Sequence, residues 1–255
     1  MEEEKRLKDG VREAYAEIVR QQSQCCCSSS CCGAGGSAAV SAGYLPEELQ
    51  RVPQEAVMGL GCGSPTAVAE IKEGEVVVDL GAGPGVDAFL AANKVGPNGK
   101  VIGVDMTAEM VDKANGIART HGYSNVEFRL GELEALPVDT GSADLVISNC
   151  VINLCPDKGK AFREACRVLR PGGRLIVADI VSEKPLAAEL REDLGAWASC
   201  IGGALERQAY LAKIEEAGFE NVDIMSERPF FVEVGGGKAM EQLMSVTVKA
   251  YKLAL

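Results

Sequence analysis

The stretch Glu75-Val76-Val77-Val78-Asp79-Leu80-Gly81-Ala82-Gly83-Pro84-Gly85 decides the fold. Its apolar half reads as a short buried strand, and its glycine-rich half as a tight turn. Val86–Val95 then reads as a helix. The glycines therefore join a strand to a helix N-terminus, where backbone N–H groups are free and a ligand can lie close against the chain. The same alternation continues downstream. Strands are expected at 101–104, 126–130, 144–148 and 174–180, and helices at 108–119 and 157–169. Thr107 is placed to N-cap the first of these helices, and Pro171-Gly172-Gly173 stops the second. Strands separated by helices of this length form βαβ units, hence a mostly parallel sheet covered on both faces. Residues 186–218 read as largely helical, with late strands at 222–225 and 245–251 and a loop between them at Pro229-Phe230-Phe231 and Gly235–Gly237. Val246, Val248 and Ala250 alternate with polar neighbours, as in an antiparallel or edge strand.

Asp105 ends the second strand, where a carboxylate can accept both ribose hydroxyls of an adenosine. Strand, glycine loop, helix and acidic residue together specify a Rossmann-like fold for a nucleoside cofactor. The spacing is Gly-x-Gly-x-Gly, and Asp79 lies inside the first strand end. That carboxylate repels a pyrophosphate and attracts the cationic amino-acid end of S-adenosylmethionine. Both features disfavour an NAD-linked oxidoreductase.

Composition excludes other classes. Among 255 residues, 26 Lys and Arg stand against 37 Asp and Glu, a net charge of −11. Such a surface repels phosphate backbones, so no nucleic-acid partner is expected. No apolar run approaches the roughly 20 residues that span a bilayer, and the charged start Met1–Gly10 has no signal-peptide core. No membrane partner is expected, and the expected location is cytoplasmic. The chain has 10 cysteines and one histidine, His121, in a polar stretch. Without a secretion signal the cysteines read as thiols and not as a disulfide scaffold. A mechanism built on a histidine base is a poor fit.

Residues 2–22 read as a charged helix with one apolar stripe of Val11, Tyr15, Ile18 and Val19. Cys25-Cys26-Cys27-Ser28-Ser29-Ser30-Cys31-Cys32-Gly33 and the Gly/Ala/Ser stretch to Gly43 read as flexible. The domain reading is thus residues 1–45 as an N-terminal helix with a Cys-rich segment, 46–183 as the cofactor-binding unit, and 184–255 as a substrate cover that completes the sheet.

Asp79–Gly85, Asp105, Gly131-Glu132, Asn149 and Leu169-Arg170-Pro171-Gly172-Gly173 together resemble the class I S-adenosylmethionine-dependent methyltransferases. The resemblance implies an α/β fold with a mostly parallel seven-stranded sheet and one antiparallel strand. It implies that Asp79, Gly81, Gly83 and Gly85 line the methionine end of S-adenosylmethionine. By the same likeness Asp105 holds the ribose, Met106 packs on the adenine, Glu132 or Leu133 lies at its edge, and Asn149 lies near the methionine part.

Cys150 follows a strand whose carboxyl end faces the ligand crevice of an open α/β sheet. Spacing alone does not place Cys62, in Gly61-Cys62-Gly63, or Cys200, in Cys200-Ile201-Gly202-Gly203-Ala204. With Ser148-Asn149-Cys150-Val151-Ile152-Asn153-Leu154, these segments resemble the arsenite methyltransferases. The likeness implies that Cys62, Cys150 and Cys200 take part in catalysis, with Cys150 and Cys200 holding As(III) and Cys62 able to join them. A fourth thiol comes from the N-terminal segment, where Cys32 is chosen among five candidates. Cys155 and Cys166 match no motif cysteine. The implied substrate is arsenite or a thiol conjugate of As(III). The implied redox partner is a thioredoxin-like protein or a small-thiol reductant, which reopens the disulfide left when arsenic is returned to As(III). The N-terminal cysteines offer a relay for those electrons.

The chemistry suits this inventory. As(III) is soft and thiophilic, and its lone pair attacks a sulfonium methyl without prior deprotonation. Two other functions stay open: methylation of a small organic acceptor, and non-catalytic binding of metalloids by thiols. Trp197 lies three residues before Cys200, one turn away if the segment is helical. Its fluorescence is expected to change when arsenite or the cofactor binds. Unchanged emission at saturating arsenite would argue against Cys200 as a ligand.

Overall fold

A computed structural model describes residues 2–24, 31–230, 233–234, 238–239 and 243–254. The strands are β1 (Val76–Leu80), β2 (Lys100–Asp105), β3 (Val126–Leu130), β4 (Ala143–Asn149), β5 (Leu169–Ser182), β6 (Phe219–Pro229) and β7 (Leu243–Lys252). They form one seven-stranded sheet in the order β3-β2-β1-β4-β5-β7-β6. β7 alone runs against its neighbours, pairing Val177 with Val248 and Asp179 with Val246. This is the expected sheet with one reversed strand.

The helices are α1 (Glu2–Gln24), α2 (Cys31–Ala42), α3 (Val86–Val95), α4 (Ala108–Thr120), α5 (Lys158–Val168), α6 (Leu194–Ala198) and α7 (Arg207–Glu216), with shorter turns between them. Strand side chains alternate between the two faces. Val77, Val101, Leu145, Ile147 and Ile176 pack with Phe89 of α3 and Val111 of α4. Val78, Leu80, Ile102, Val146 and Val177 pack with Phe162 of α5 and Tyr210 of α7. Edge-on ring pairs, Phe89–Phe128 at 5.6 Å and Phe162–Tyr210 at 5.5 Å, anchor the two layers. Each fully buried Val, Leu or Ile contributes about 1.5–3 kcal/mol. No described helix is long and apolar enough to cross a membrane.

Three expectations need correction. The stretch from Gly33 to Gly43, read as flexible, is helical over Cys31–Ala42. Its glycines serve close packing: a Cβ on Gly35 would lie 2.4 Å from the carbonyl oxygen of Val57. Residues 25–30 lie outside the described residues. Thr107 occupies the N-cap position of α4, but its hydroxyl makes no capping bond. Residues 186–218 are helical only in pieces, and the break between α6 and α7 carries Cys200. There a Cβ on Gly203 would sit 1.9 Å from the carbonyl oxygen of Asn153, so the chain must pass as glycine.

Arg174, the first residue after Pro171-Gly172-Gly173, grips Glu75 through two bonds of 2.8 Å. It also donates to the carbonyls of Ala69 and Glu70. Burial raises the Glu75 carboxyl, but the Arg174 bonds and the Lys72 N–H outweigh it and hold the group below its usual 4.5. Replacing Arg174 by Met is expected to cost about 3 kcal/mol, because it strands a buried carboxylate. The pair's contribution is complete above the unfolded value of 4.5 and is lost as pH falls through the lower folded value. Urea unfolding of both proteins at several pH values checks this, and the two midpoints should converge in acid.

Candidate active site

The chain leaves β1 toward β2 and leaves β4 toward β5, in opposite directions across the sheet. The loops that follow diverge and open a crevice at the strand carboxyl ends. It is a cleft of about 1050 Å³, counted out to its mouth. Asp79, Gly81, Gly83, Asp105, Met106, Leu133, Glu134, Asn149, Cys150, Val151 and Cys155 line it, joined by Lys8 and Tyr15 of α1. Gly81 has φ +64°, and a Cβ there would lie 2.3 Å from Val151. Gly85 has φ +102° and stands behind the loop, where a Cβ would meet Phe128 and Phe89 at 2.7 and 2.8 Å. Asp105 pins the loop by accepting the N–H groups of Gly83 and Thr107, each at 2.9 Å.

Three aspartates meet in this cleft. Burial raises Asp79 well above the usual carboxylate range, and the charges of Asp87 and Asp105 add to it. Burial lifts Asp87 to about 6, against the bonds from Tyr44 and Asn149, and also raises Asp105. Among the described residues, Oδ2 of Asp79 and Oδ1 of Asp87 are buried with no hydrogen-bond partner. Buried acceptors left unpaired cost roughly 1–3 kcal/mol each, so this end of the cleft favours a cationic donor. S-adenosylmethionine, with its ammonium group and sulfonium, fits that demand.

Asn149 joins this end to the thiols. Its Oδ1 accepts the N–H groups of Cys62 and Gly63 at 3.1 and 3.2 Å. Its Nδ2 donates to the Tyr44 hydroxyl at 2.7 Å, the Gly63 carbonyl at 2.8 Å and Asp87 Oδ2 at 3.0 Å. The Tyr44 hydroxyl donates in turn to Asp87 at 2.7 Å.

The fold brings Cys62, Cys150 and Cys200 together from three separate loops. Sγ of Cys62, Sγ of Cys150 and a carboxylate oxygen of Asp179 lie within 4.8 Å of one another. The Cys200 thiol donates to the Cys150 carbonyl at 2.7 Å, and the Tyr15 hydroxyl stands 3.9 Å from Cys200 Sγ. All three cysteines are buried beside Val11, Leu154 and Ile180. Cys150 and Cys200 have φ of 59° and 61°. That region costs a non-glycine residue about 1–3 kcal/mol and recurs at functional sites. Thiol contacts with Cys200 and Cys62, then burial, hold Cys150 well above its ordinary value. Burial likewise raises Cys62. Both are therefore neutral thiols at neutral pH.

Asn153 ties these loops together. Its Nδ2 donates to the carbonyls of Ile180 at 2.6 Å and Cys200 at 3.2 Å. Its N–H donates to Asp179 at 3.1 Å. Its carbonyl accepts from the buried Lys158 ammonium at 3.2 Å, which stands 5.2 Å from the Trp197 ring centre. α1 covers the assembly, with Lys8 bridging Glu132 at 2.8 Å and Glu134 at 2.9 Å.

Residues 71–218 match the methyltransferase domain family. The sheet order and the cleft at its reversal are those of a class I S-adenosylmethionine-dependent methyltransferase, whose cofactor is S-adenosylmethionine. An arsenic(III) S-adenosylmethionine methyltransferase of Chlamydomonas reinhardtii superposes with a TM-score of 0.67 at 32% identity, covering 86% of this chain and 74% of that one. The arsenite methyltransferase of Halobacterium salinarum is 44% identical over 216 residues, which is 83% of this chain and 55% of that protein. The human arsenite methyltransferase is 37% identical over 186 residues, 69% of this chain and 49% of that protein. The chain belongs to the arsenite methyltransferase family. It spans about half the length of these two curated relatives.

Of the residues singled out in the sequence, Asp79, Gly81, Gly83, Asp105, Met106, Leu133, Asn149 and Cys150 line the cleft. Gly85 shapes the loop from behind. Glu132 stands outside the lining, paired with Lys8 and Arg12. Cys62 and Cys200 adjoin Cys150 without lining the cleft. Cys32 lies in α2, but its side chain is outside the described residues. Cys155, which matched no motif, lines the cleft as a buried thiol. Sequence reading missed Tyr15, Tyr44, Glu134, Asn153 and Asp179. Asp179 carried a signal, as the lone carboxylate in the apolar run Leu175–Val181, and Asn153 lay within the segment Ser148–Leu154 that carries the resemblance. Replacing Asn153 by Ala leaves two buried carbonyls short of a donor and is expected to cost about 2–4 kcal/mol. The Cys200 thiol should then react faster with a disulfide reagent than in the wild type under native conditions. Equal thiol reactivity would show that Asn153 does not hold the Cys200 loop.

Proposed function

We propose that the protein transfers the methyl group of S-adenosylmethionine to trivalent arsenic bound by Cys62, Cys150 and Cys200. The observation that carries this reading is the convergence of three buried thiols beside the cleft, at the end of β4. Arsenite is present at neutral pH as neutral arsenous acid. Each As–S bond forms as a thiol proton leaves with an arsenic hydroxyl as water. Three thiols give a neutral trithiolate and three waters, so no net charge enters a buried apolar pocket. Neutral thiols such as Cys62 and Cys150 suit that exchange.

S-adenosylmethionine supplies an electrophilic methyl group on a cationic sulfur. Asp79, Asp87 and Asp105 favour that cation, and the N–H groups of the glycine loop and helix α3 hold its amino-acid end. The three thiolates fix the arsenic and aim its lone pair at the cleft, so the rate rests on alignment rather than on a base. Transfer raises arsenic formally to As(V). A pair of the protein's thiols supplies two electrons, returns it to As(III) and is left as a disulfide. A thioredoxin-like protein or a small thiol reopens that disulfide by exchange, with Cys32 and its neighbours as the relay. This chemistry belongs in a reducing compartment, consistent with a cytoplasmic protein.

Incubation with methyl-labelled S-adenosylmethionine, arsenite and a thiol reductant should place label in methylated arsenic. Cys150→Ser should abolish it while leaving cofactor binding in place. Asp79→Asn should weaken the cofactor about tenfold or more, by removing a buried charge partner. Bound cofactor with no labelled arsenical would reject arsenic as the acceptor and point to an organic one.

A further inference from the structure

We propose that Cys62, Cys150 and Asp179 form a binding site for a thiophilic divalent cation, Zn²⁺ or Cd²⁺, with Cys200 bordering it as a fourth donor. The proposal shares the thiol pocket of the proposed function but does not rest on methyl transfer.

The argument starts from Asp179. A trithiolate of As(III) is complete with three sulfurs and has no use for a carboxylate. Yet Asp179 is fully buried in the middle of an apolar strand, with an oxygen within 4.8 Å of both Sγ atoms. Its partners are neutral: the N–H groups of Asn153 and Ile180 and the Tyr210 hydroxyl. Among the described residues no salt bridge reaches it, and the buried Lys158 ammonium acts on it through its charge without touching it. Burying a carboxylate without a cation in direct contact is costly, and a directly bonded cation is the strongest compensation available.

The donor set then chooses the ion. Two thiolates and a carboxylate suit Zn²⁺ and its softer congener Cd²⁺, whereas Mg²⁺ and Ca²⁺ want oxygen alone. Zinc lies about 2.3 Å from sulfur and about 2.0–2.2 Å from oxygen, so two sulfurs and an oxygen placed tetrahedrally stand about 3.5–3.8 Å apart. Donors already within 4.8 Å need close by only about an ångström. The Cys200 thiol, on the Cys150 carbonyl at 2.7 Å, adjoins the same space. The three donors to Asp179 form the outer shell that ligating carboxylates require.

Binding balances simply. The cation forms two M–S bonds as two thiol protons leave to solvent, and one M–O bond to Asp179, whose carboxyl burial raises to about 7 and which releases to solvent whatever proton it carries. No oxidant or reductant is needed. Because the same thiols are consumed, the cation and arsenite exclude one another, and the enzyme's thiol pocket becomes sensitive to zinc and cadmium.

The test uses the full chain with Cys25, Cys26, Cys27, Cys31 and Cys32 replaced by Ser, so that the N-terminal thiols take up no metal. The reduced protein is titrated with Cd²⁺ and with Zn²⁺, free of competing thiols. Thiolate-to-cadmium absorption counts the sulfurs, and cadmium NMR reports the donor atoms. Arsenite affinity is measured in parallel by Trp197 fluorescence. The expected result is one Cd²⁺ per chain in a mixed sulfur–oxygen site, displaced by arsenite. Asp179→Asn should weaken Cd²⁺ by about tenfold or more and change arsenite affinity less than about twofold. Equal Cd²⁺ affinity in wild type and Asp179→Asn would overturn the proposal. So would an all-sulfur cadmium signal in the wild type, which needs no variant to fold. Arsenite binding without Cd²⁺ uptake sinks this inference alone. Cd²⁺ uptake without arsenite binding supports it and sinks the arsenic reading instead.

Discussion

The site depends on one amide. Asn149 ends β4 at the point where the chain reverses across the sheet, and its side chain faces two demands at once. Its oxygen holds the backbone of Cys62 and Gly63, and its nitrogen reaches Tyr44 and Asp87. The cofactor end of the cleft and the thiol pocket are thereby fixed to one strand end. Methyl transfer demands near-attack alignment between two bound partners. A single rigid link between their sites limits how far either can drift. The crowding confirms how tight that link is, since a Cβ on Gly61 would lie 2.5 Å from the Asn149 nitrogen.

Charge is distributed to match. The cofactor end concentrates carboxylates, with two buried oxygens short of donors, which suits a cation. The thiol end is apolar and holds neutral thiols, which suits the proposed exchange of neutral arsenous acid for a neutral trithiolate. α1 covers both. Lys8 answers Glu132 and Glu134 at one end, and Val11 and Tyr15 pack beside the thiols at the other. A helix that is strongly polar in sequence thus earns its place by closing a cleft rather than by propensity.

The alternation of apolar runs, glycines and helices carried most of the fold, because parallel strands buried on both faces leave an unmistakable pattern. The glycine loop and Asp105 were legible for the same reason: their spacing is set locally. The convergence of Cys62 and Cys200 on Cys150 was not. Each lies on a loop whose path is decided by tertiary contacts, through Asn149 for one and Asn153 for the other. The misreading of α2 has a different cause. Glycine and alanine report either freedom or close approach, and composition alone cannot say which; the Val57 carbonyl against Gly35 decides it.

The backbone at the thiols argues that this convergence is built rather than incidental. Cys150 and Cys200 both sit at positive φ, where glycine would be unstrained. Among the described residues eleven glycines occupy that region, and only Glu70 and Asn221 join the two cysteines there without being glycine. Each cysteine holds its thiol there at a strain of about 1–3 kcal/mol. The same turn that strains Cys200 sets its thiol on the carbonyl of Cys150, and Asn153 holds that turn from behind. Strain at two cysteines, offset by a shared clamp, is what a pocket requires if it must present several thiols to one small atom without letting them collapse apart.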